Sequence, residues 1–242
     1  MELRLDSLSE QLVQEVGRKI VHGELLPEQV LPKVETWSEK IGVSRTVVRE
    51  ALRGLSVRGL VKSNPKIGTV VCPREDWQWW DPDMLSWAAV KEQNDKFLLQ
   101  LTEVRLAIEP VAAQLAAKKA TDQDIAYITE SFRKLEQSVG DTAAWVKADY
   151  DFHHSIVLVS RNELIINLVQ LLRNALIQSR LKSRKALDQN KGITHESPTG
   201  EVLERHRAIF DAICKRDQQK AYETTQQLIL RVAQLIEDKV NE

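Results

Sequence analysis

Asp149 and His153 stand four residues apart in ADYDFHHSI. On a helix this spacing puts both side chains on one face, one turn apart. A carboxylate oxygen and an imidazole nitrogen so placed suit two ligands of one divalent ion. They serve equally as a plain hydrogen-bonded pair, so the spacing leaves both readings open. Arg105 and Glu109 repeat the interval in an apolar stretch, where the simplest product is an intrahelical ion pair worth about 0.2–0.5 kcal/mol on a surface. A third set lies in SRTVVREALRGLSVRG, where Arg45, Arg49 and Arg53 share one helical face and Val48, Ala51, Leu52 and Leu55 another. The apolar face packs, and the cationic face is left to bind. An arginine fork pairs with guanine O6 and N7 in a major groove, while hydroxyls such as Ser44 and Thr46 at a helix N-terminus favour phosphate.

The elements needed to hold these groups can be read outward from them. Thr36 is positioned to cap a short helix, TWSEKI, with Trp37 and Ile41 facing inward and Gly42 making the turn. Ser44 caps the helix that follows. Upstream, Leu8, Leu12, Val13, Val16 and Ile20 trace an apolar stripe that ends at Gly23, and Pro27 and Pro32 forbid its continuation. Downstream, LVKS and GTVVC flank NPKI as a hairpin whose tip, Asn64 to Gly68, carries Lys66. Helix, turn, helix with a polar leading end, then wing is the order of a winged helix-turn-helix that sends its second motif helix into the major groove. Charge agrees. The whole chain is balanced at −1, yet from Lys40 to Arg74 there are eight Lys or Arg against one acid, Glu50, an electrostatic footprint for phosphate.

The rest of the chain reads as helix. With 9 Gly and 7 Pro in 242 residues, all-β and disordered classes are disfavoured. Six segments are predicted helical, at about 95–120, 121–139, 141–160, 162–187, 201–216 and 217–240, with Thr121, Asp141, Asn162 and Asp217 as N-caps. Pro110 should kink the first of them or mark its first turn. Such a bundle holds ligands between facing helices. DQNKGITHESPTG, with a solvated His195, is expected to be a loop. Four tryptophans, Trp77, Trp79, Trp80 and Trp87, crowd residues 75–90, a segment expected to link the domains and to pack in a core, at the domain junction or at a dimer contact. The expected division is 1–74 for DNA, 75–90 as linker and 91–242 for effector binding and dimerisation. Cys72 and Cys214 have no metal or redox spacing and are expected to be reduced and buried. No apolar run spans a bilayer and no signal segment precedes the first helix, so a cytoplasmic protein without membrane contact is expected.

LLPEQVLPKVETWSEKIGVSRTVVREALRGLSVRGLV resembles the signature of GntR-family transcription regulators, with GVSRTVVREAL as its specific core. The resemblance implies DNA contacts from Ser44, Arg45, Thr46 and Arg49, and from Lys66 and Gly68 of the wing. It has two departures: Lys33-Val34 replaces the family's Ser-Glu, and Glu35 stands where an arginine often contacts DNA. EVRLAIEPVAAQLAA, ADYDFHHSI and ERHRAIFDAI resemble the FCD ligand-binding domain of the family's FadR branch. That likeness implies a divalent ion (zinc, nickel or manganese) held by Asp149, His153 and His206, with the fourth family ligand replaced by Leu228 beside Gln227. It also implies Arg105 in the pocket facing an anionic effector, whose carboxylate a guanidinium meets with two parallel bonds. Asn174, Gln178 and Arg180 are further effector candidates, and His154, on another face, is not a ligand. A three-ligand site completed by water or effector and a metal-free pocket both remain open.

The fold expected is therefore mainly α, a winged helix-turn-helix followed by an all-α bundle of FCD type. The function expected is a homodimeric regulator, acting as a repressor, that binds a pseudo-palindromic double-stranded operator under control of a small carboxylate or sugar-acid effector. WDPDMLSW and EVRLAIEP resemble regulators of sugar-acid catabolism of the galactonate type. Two alternatives are an acyl-CoA or lipid-responsive regulator without metal, and a hydrolytic enzyme built on Asp149, His153 and His206. The enzyme reading has no general base, nucleophile or phosphate-cradling loop to support it.

Overall fold

The structure is a computed structural model that describes residues 7–91, 95–189 and 198–240. The chain divides between Glu92 and Gln93 into two compact units. Among the described residues it is mainly α, with eleven helices and one two-stranded sheet.

In the first unit α1 (Leu8–Val21) opens with a capping box between Ser7 and Glu10 and buries Leu12, Val13, Val16 and Ile20. Leu8, the first residue of the stripe, stays exposed. The next helix, α2 (Val34–Ile41), is capped three residues earlier than expected: Lys33 is its N-cap, without a side-chain bond, and Thr36 lies inside the first turn. Pro32 stops the chain just upstream, and Glu35 suits the positive end of the helix dipole. Trp37 is buried, but Ile41 is exposed because the helix ends there in a left-handed Gly42, φ +69°. Then α3 (Arg45–Val57) begins at Ser44, whose hydroxyl accepts the Val47 N–H, and it buries Val48, Ala51 and Leu55.

Strands β1 (Val61–Asn64) and β2 (Gly68–Val71) pair antiparallel, Val61 with Val71 and Asn64 with Gly68. The connection before α2 supplies a third edge that its prolines disguised in the sequence. Val30 bridges Val70, and the Leu31 N–H donates to the Thr69 carbonyl at 2.8 Å.

Residues 75–90, expected as a linker, are folded onto this first unit. A single 3-10 turn (Arg74–Asp76) precedes α4 (Pro82–Val90), which is capped by Asp81. Trp77 is buried, and its indole N–H donates to the Cys72 carbonyl at 3.2 Å. Trp87 lies across Gly17 of α1 and donates to Gln14 Oε1 at 2.7 Å. Arg58, at the end of α3, pairs with Asp81 at 3.2 Å and Asp83 at 2.5 Å, so the α3 terminus is tied to the α4 start. A Cβ at Gly17 would meet the Trp87 ring at 2.3 Å. Gly17→Ala should therefore lower stability by about 1–3 kcal/mol through overpacking, against a helix-propensity gain of at most about 1 kcal/mol. Thermal melts of the two chains check the sign.

The second unit is all helix: α5 (Asp95–Lys119), α6 (Asp122–Gln137), α7 (Thr142–Val159), α8 (Glu163–Leu171), α9 (Arg173–Gln189), α10 (Pro198–Cys214) and α11 (Gln218–Val240). Thr121, Asp141 and Asn162 cap α6, α7 and α8 as expected, and Asp217 Oδ1 accepts the Lys220 N–H at 2.9 Å. Ala112, Ala113, Ala116 and Ala117 give α5 a smooth buried face, and α5 packs extensively on α11. Phe132, Phe152, Ile209, Ile213 and Ile229 complete the core. Pro110 sits in mid-helix.

The single helix expected over 162–187 is two helices hinged at Leu172. Leu172 keeps helix-like angles, φ −77° and ψ −3°, so the bend needs no glycine or proline and leaves no sequence mark. Pro198 begins α10 rather than ending a loop, the position a proline best tolerates. His195 lies outside the described residues. Both cysteines are free thiols, Cys72 buried and Cys214 partly exposed. No helix among the described residues is long and apolar enough to cross a membrane.

Candidate functional site

The first unit presents a cationic surface. Val48, Ala51 and Leu55 anchor α3 from below, which turns Arg45, Arg49 and Arg53 outward into solvent. None of the three makes a hydrogen bond or ion pair with a described residue. Ser44 and Thr46 are exposed at the leading end of the same helix, where its N-terminal partial charge favours phosphate. Lys66 stands exposed at the hairpin tip, and Gly68, also exposed, takes φ +107°. Asn64 shapes that tip by accepting the Lys66 N–H at 3.0 Å. Glu35 is exposed in the first turn of α2. Not every basic residue of the window is available, since Arg58 is committed to Asp81 and Asp83.

The second unit gathers a buried polar centre where α5, α7, α9 and α10 converge. Asp149 and His153 lie one turn apart on α7, and α10 brings His206 to them. One ligand atom from each of the three lies within 4.8 Å of the others. His206 Nδ1 is 2.7 Å from the Val202 carbonyl, an acceptor, so this nitrogen donates to it and Nε2 is turned toward the centre. That Nε2 is 2.7 Å from Asp149 Oδ1 and 3.2 Å from His153 Nε2. His153 Nδ1 faces Glu109 Oε2 at 3.5 Å, which directs its own Nε2 inward. A carboxylate oxygen and two imidazole nitrogens thus face one place. The outer carbonyl and carboxylate are the second shell that orients metal-ligating imidazoles. The donor set therefore fits a divalent cation.

Arginines surround this centre. Arg180 Nε–H donates to Asp149 Oδ2, and Arg105 Nε–H donates to Glu109 Oε1 at 2.7 Å. Arg105 is 3% exposed and Glu109 6%, so their bond is an interior one rather than the surface pair that spacing alone suggests. Burial would raise the Glu109 carboxyl, but Arg105 and His153 hold it down to about 2. Asp149 is likewise held well below the usual carboxylate range: burial opposes this, and Arg180 and His206 outweigh it. Burial pushes His153 down to about 3, against the pull of Asp149 and Glu109. Both His153 and Glu109 therefore titrate below their unfolded values of 6.5 and 4.5. Each contributes stability that is complete above the unfolded value and is lost as pH falls toward the folded one. The melting temperature of EDTA-treated protein should therefore decline as pH is lowered from 6.5 toward 3, and a melting temperature that rises over that window contradicts the geometry.

The centre opens into a cavity of about 60 Å³ lined by α5, α7, α9, α10 and α11. Arg105, Asp149, Arg180 and His206 form its polar end. Leu228, at the position expected of a fourth ligand, lines the same cavity as Asp149 and His206, while Gln227 is exposed. Asn174 is exposed and Gln178 half-buried, and neither is among the lining residues. His154 is turned away and stacks on Tyr150 with ring centroids 5.5 Å apart. The apolar lining residues Val202, Val232 and Leu235 escaped the sequence reading, and so did Trp145 and two cations, Arg205 and Arg231. A signal existed for the two cations, because Arg205 adjoins His206 and Arg231 follows Leu228 by three, which returns it to the same helical face.

Residues 8–71 match the family described as bacterial regulatory proteins, gntR family, and residues 100–231 match the FCD domain. The chain is 27% identical to the galactonate operon transcriptional repressor of Escherichia coli (strain K12), with 86% of this chain and 88% of that one covered. It is 32% identical to the HTH-type transcriptional regulator LutR of Bacillus subtilis (strain 168), with 80% and 85% covered. A solved structure of the regulator Lar, which controls the Listeria monocytogenes agr system, shares the fold at a TM-score of 0.65 and 15% identity, covering 98% of this chain and 99% of that one. These proteins are regulators, and the hydrolytic reading of Asp149, His153 and His206 is set aside with them. A winged DNA-reading unit matched over 8–71 and a ligand-binding bundle matched over 100–231 make this chain a member of the gntR family of bacterial transcription regulators, with an FCD domain.

Proposed function

We propose that this chain is a cytoplasmic, homodimeric repressor that leaves its operator when a small carboxylate or sugar acid enters the bundle. Residues 1–74 make the DNA contacts, and residues 91–242 hold the effector and the dimer partner. Ser44, Arg45, Thr46 and Arg49 enter the major groove, Lys66 and Gly68 approach the flanking backbone, and two copies meet the half-sites of a pseudo-palindrome. The observation that carries the DNA reading is the exposed, partnerless row Arg45, Arg49 and Arg53 on a helix whose other face is buried.

In the bundle, Asp149, His153 and His206 would hold a divalent ion such as zinc, nickel or manganese, which supplies a positive charge for the effector carboxylate. Arg105 and Arg180 flank it and add donors. A relative named as a galactonate operon repressor supports an acidic effector. The effector acts only by its differential affinity for the arrangements that do and do not fit DNA.

A gel-shift titration of the dimer on its operator, with and without candidate acids, tests the whole reading. Acid-dependent release is expected, and operator binding that no acid changes contradicts it. In the same assay Lys66→Ala should weaken binding evenly across sequences and reduce the salt slope by about 1.

A further inference from the structure

The lining of the bundle cavity is one-sided in its hydrogen-bonding chemistry. Arg105, Arg180, Arg205 and Arg231 offer donors only. The single carboxylate among the described lining residues is Asp149, and its two oxygens are already engaged by Arg180 and His206. No Ser, Thr, Asn or Gln is among those lining residues. The remaining wall is hydrocarbon and indole: Trp145, Val202, Leu228, Val232 and Leu235. Arg231 makes no hydrogen bond or ion pair with a described residue, and the Nε of Arg205 is buried without a partner.

A carboxylate has acceptors alone and matches these donors. A polyol chain carries an O–H donor on each carbon, and the described lining residues offer those donors no free side-chain acceptor. Every hydroxyl buried without a partner costs about tenfold or more in affinity. Apolar groups laid against Leu228 and Val232 gain instead from leaving water. Leu228 is decisive by place, since it lines the same cavity as Asp149 and His206 and presents hydrocarbon there.

Taking the carboxylate-sensing reading above as its basis, we propose that the cavity selects carboxylates with an apolar aliphatic or aromatic body over polyhydroxylated sugar acids, and that Leu228 sets this preference. The effector of the galactonate-operon relative would then not carry over to this chain.

Isothermal titration of the full-length, zinc-loaded dimer with 4-methylpentanoate, D-gluconate and the neutral 4-methylpentan-1-ol tests the proposal. The branched acid is expected to bind at least about tenfold more tightly than gluconate, with the alcohol weaker than both. Leu228→Asn should lose about tenfold for 4-methylpentanoate and narrow the gap to gluconate, while Leu228→Met, which conserves volume and polarity, keeps the ranking and guards against a folding artefact. Tighter binding of gluconate, or an unchanged ratio in Leu228→Asn beside a folded Leu228→Met, overturns the proposed selectivity and leaves carboxylate sensing standing. Binding of the alcohol with neither acid bound overturns both.

Discussion

Asp149→Ala is expected to empty the cation centre and to destabilise the second unit at once. The Asp149 carboxylate is the sole acid among the three convergent donors, so its loss removes the one negative charge that a divalent ion would meet there. It also strands Arg180, which is 6% exposed and paired to Asp149. A buried charge robbed of its partner costs about 3–5 kcal/mol, which corresponds to a fall in melting temperature of about 10 °C for a chain of this length. The two losses separate in a second variant. Asp149→Ala combined with Arg180→Leu removes the orphaned cation, so stability should largely return while metal content measured by mass spectrometry stays low. Recovery of both, or full metal content in Asp149→Ala alone, contradicts the assignment of Asp149 as a ligand.

Arg49→Ala should weaken specific operator binding by about 1–3 kcal/mol, the value of one good bidentate arginine–guanine contact. Its effect on folding should be within about 0.5 kcal/mol, because an exposed side chain away from packed features contributes little, and Arg49 is exposed without a described partner. That contrast distinguishes it from Arg58. Both belong to the same basic window, but Arg58 is held by Asp81 and Asp83, so its loss should act on stability before it acts on DNA. Fluorescence anisotropy on specific and random duplexes checks the direction: Arg49→Ala should lose discrimination between them, whereas a purely electrostatic role would weaken both alike.

The α3 face was legible because helical period sorts its residues without help from the rest of the chain: valine and leucine fall on one side, arginine on the other. The wing was legible from two β-branched runs around Asn64–Gly68. The third sheet edge at Val30 was not, since one bridging residue leaves no alternation to read. Thr36 misled because capping preference is local, whereas the start of α2 is set by Pro32 just before it. The hinge at Leu172 was hidden for the opposite reason, as its angles stay helical and any residue can adopt them.

In the second unit the i,i+4 pairs Asp149–His153 and Arg105–Glu109 announced themselves, but their meaning depended on packing. Spacing alone makes Arg105–Glu109 a weak surface pair; burial between helices makes it the support of His153. Glu109, Val202 and Arg180 complete the centre from three different helices, and no one-dimensional pattern joins them. The 75–90 segment shows the same limit. Its tryptophans marked it as unusual, while the partner that explains Trp87 is Gly17, seventy residues earlier and chosen for its missing side chain.

The account rests on α3 reading sequence in a DNA groove. Selection of bound duplexes from a random pool by the full-length chain, run beside the Arg45→Ala, Arg49→Ala double variant, addresses this directly. The account predicts that the wild-type protein enriches two half-sites related by a two-fold axis and that the double variant enriches none. Equal enrichment of the same motif by both proteins would contradict it.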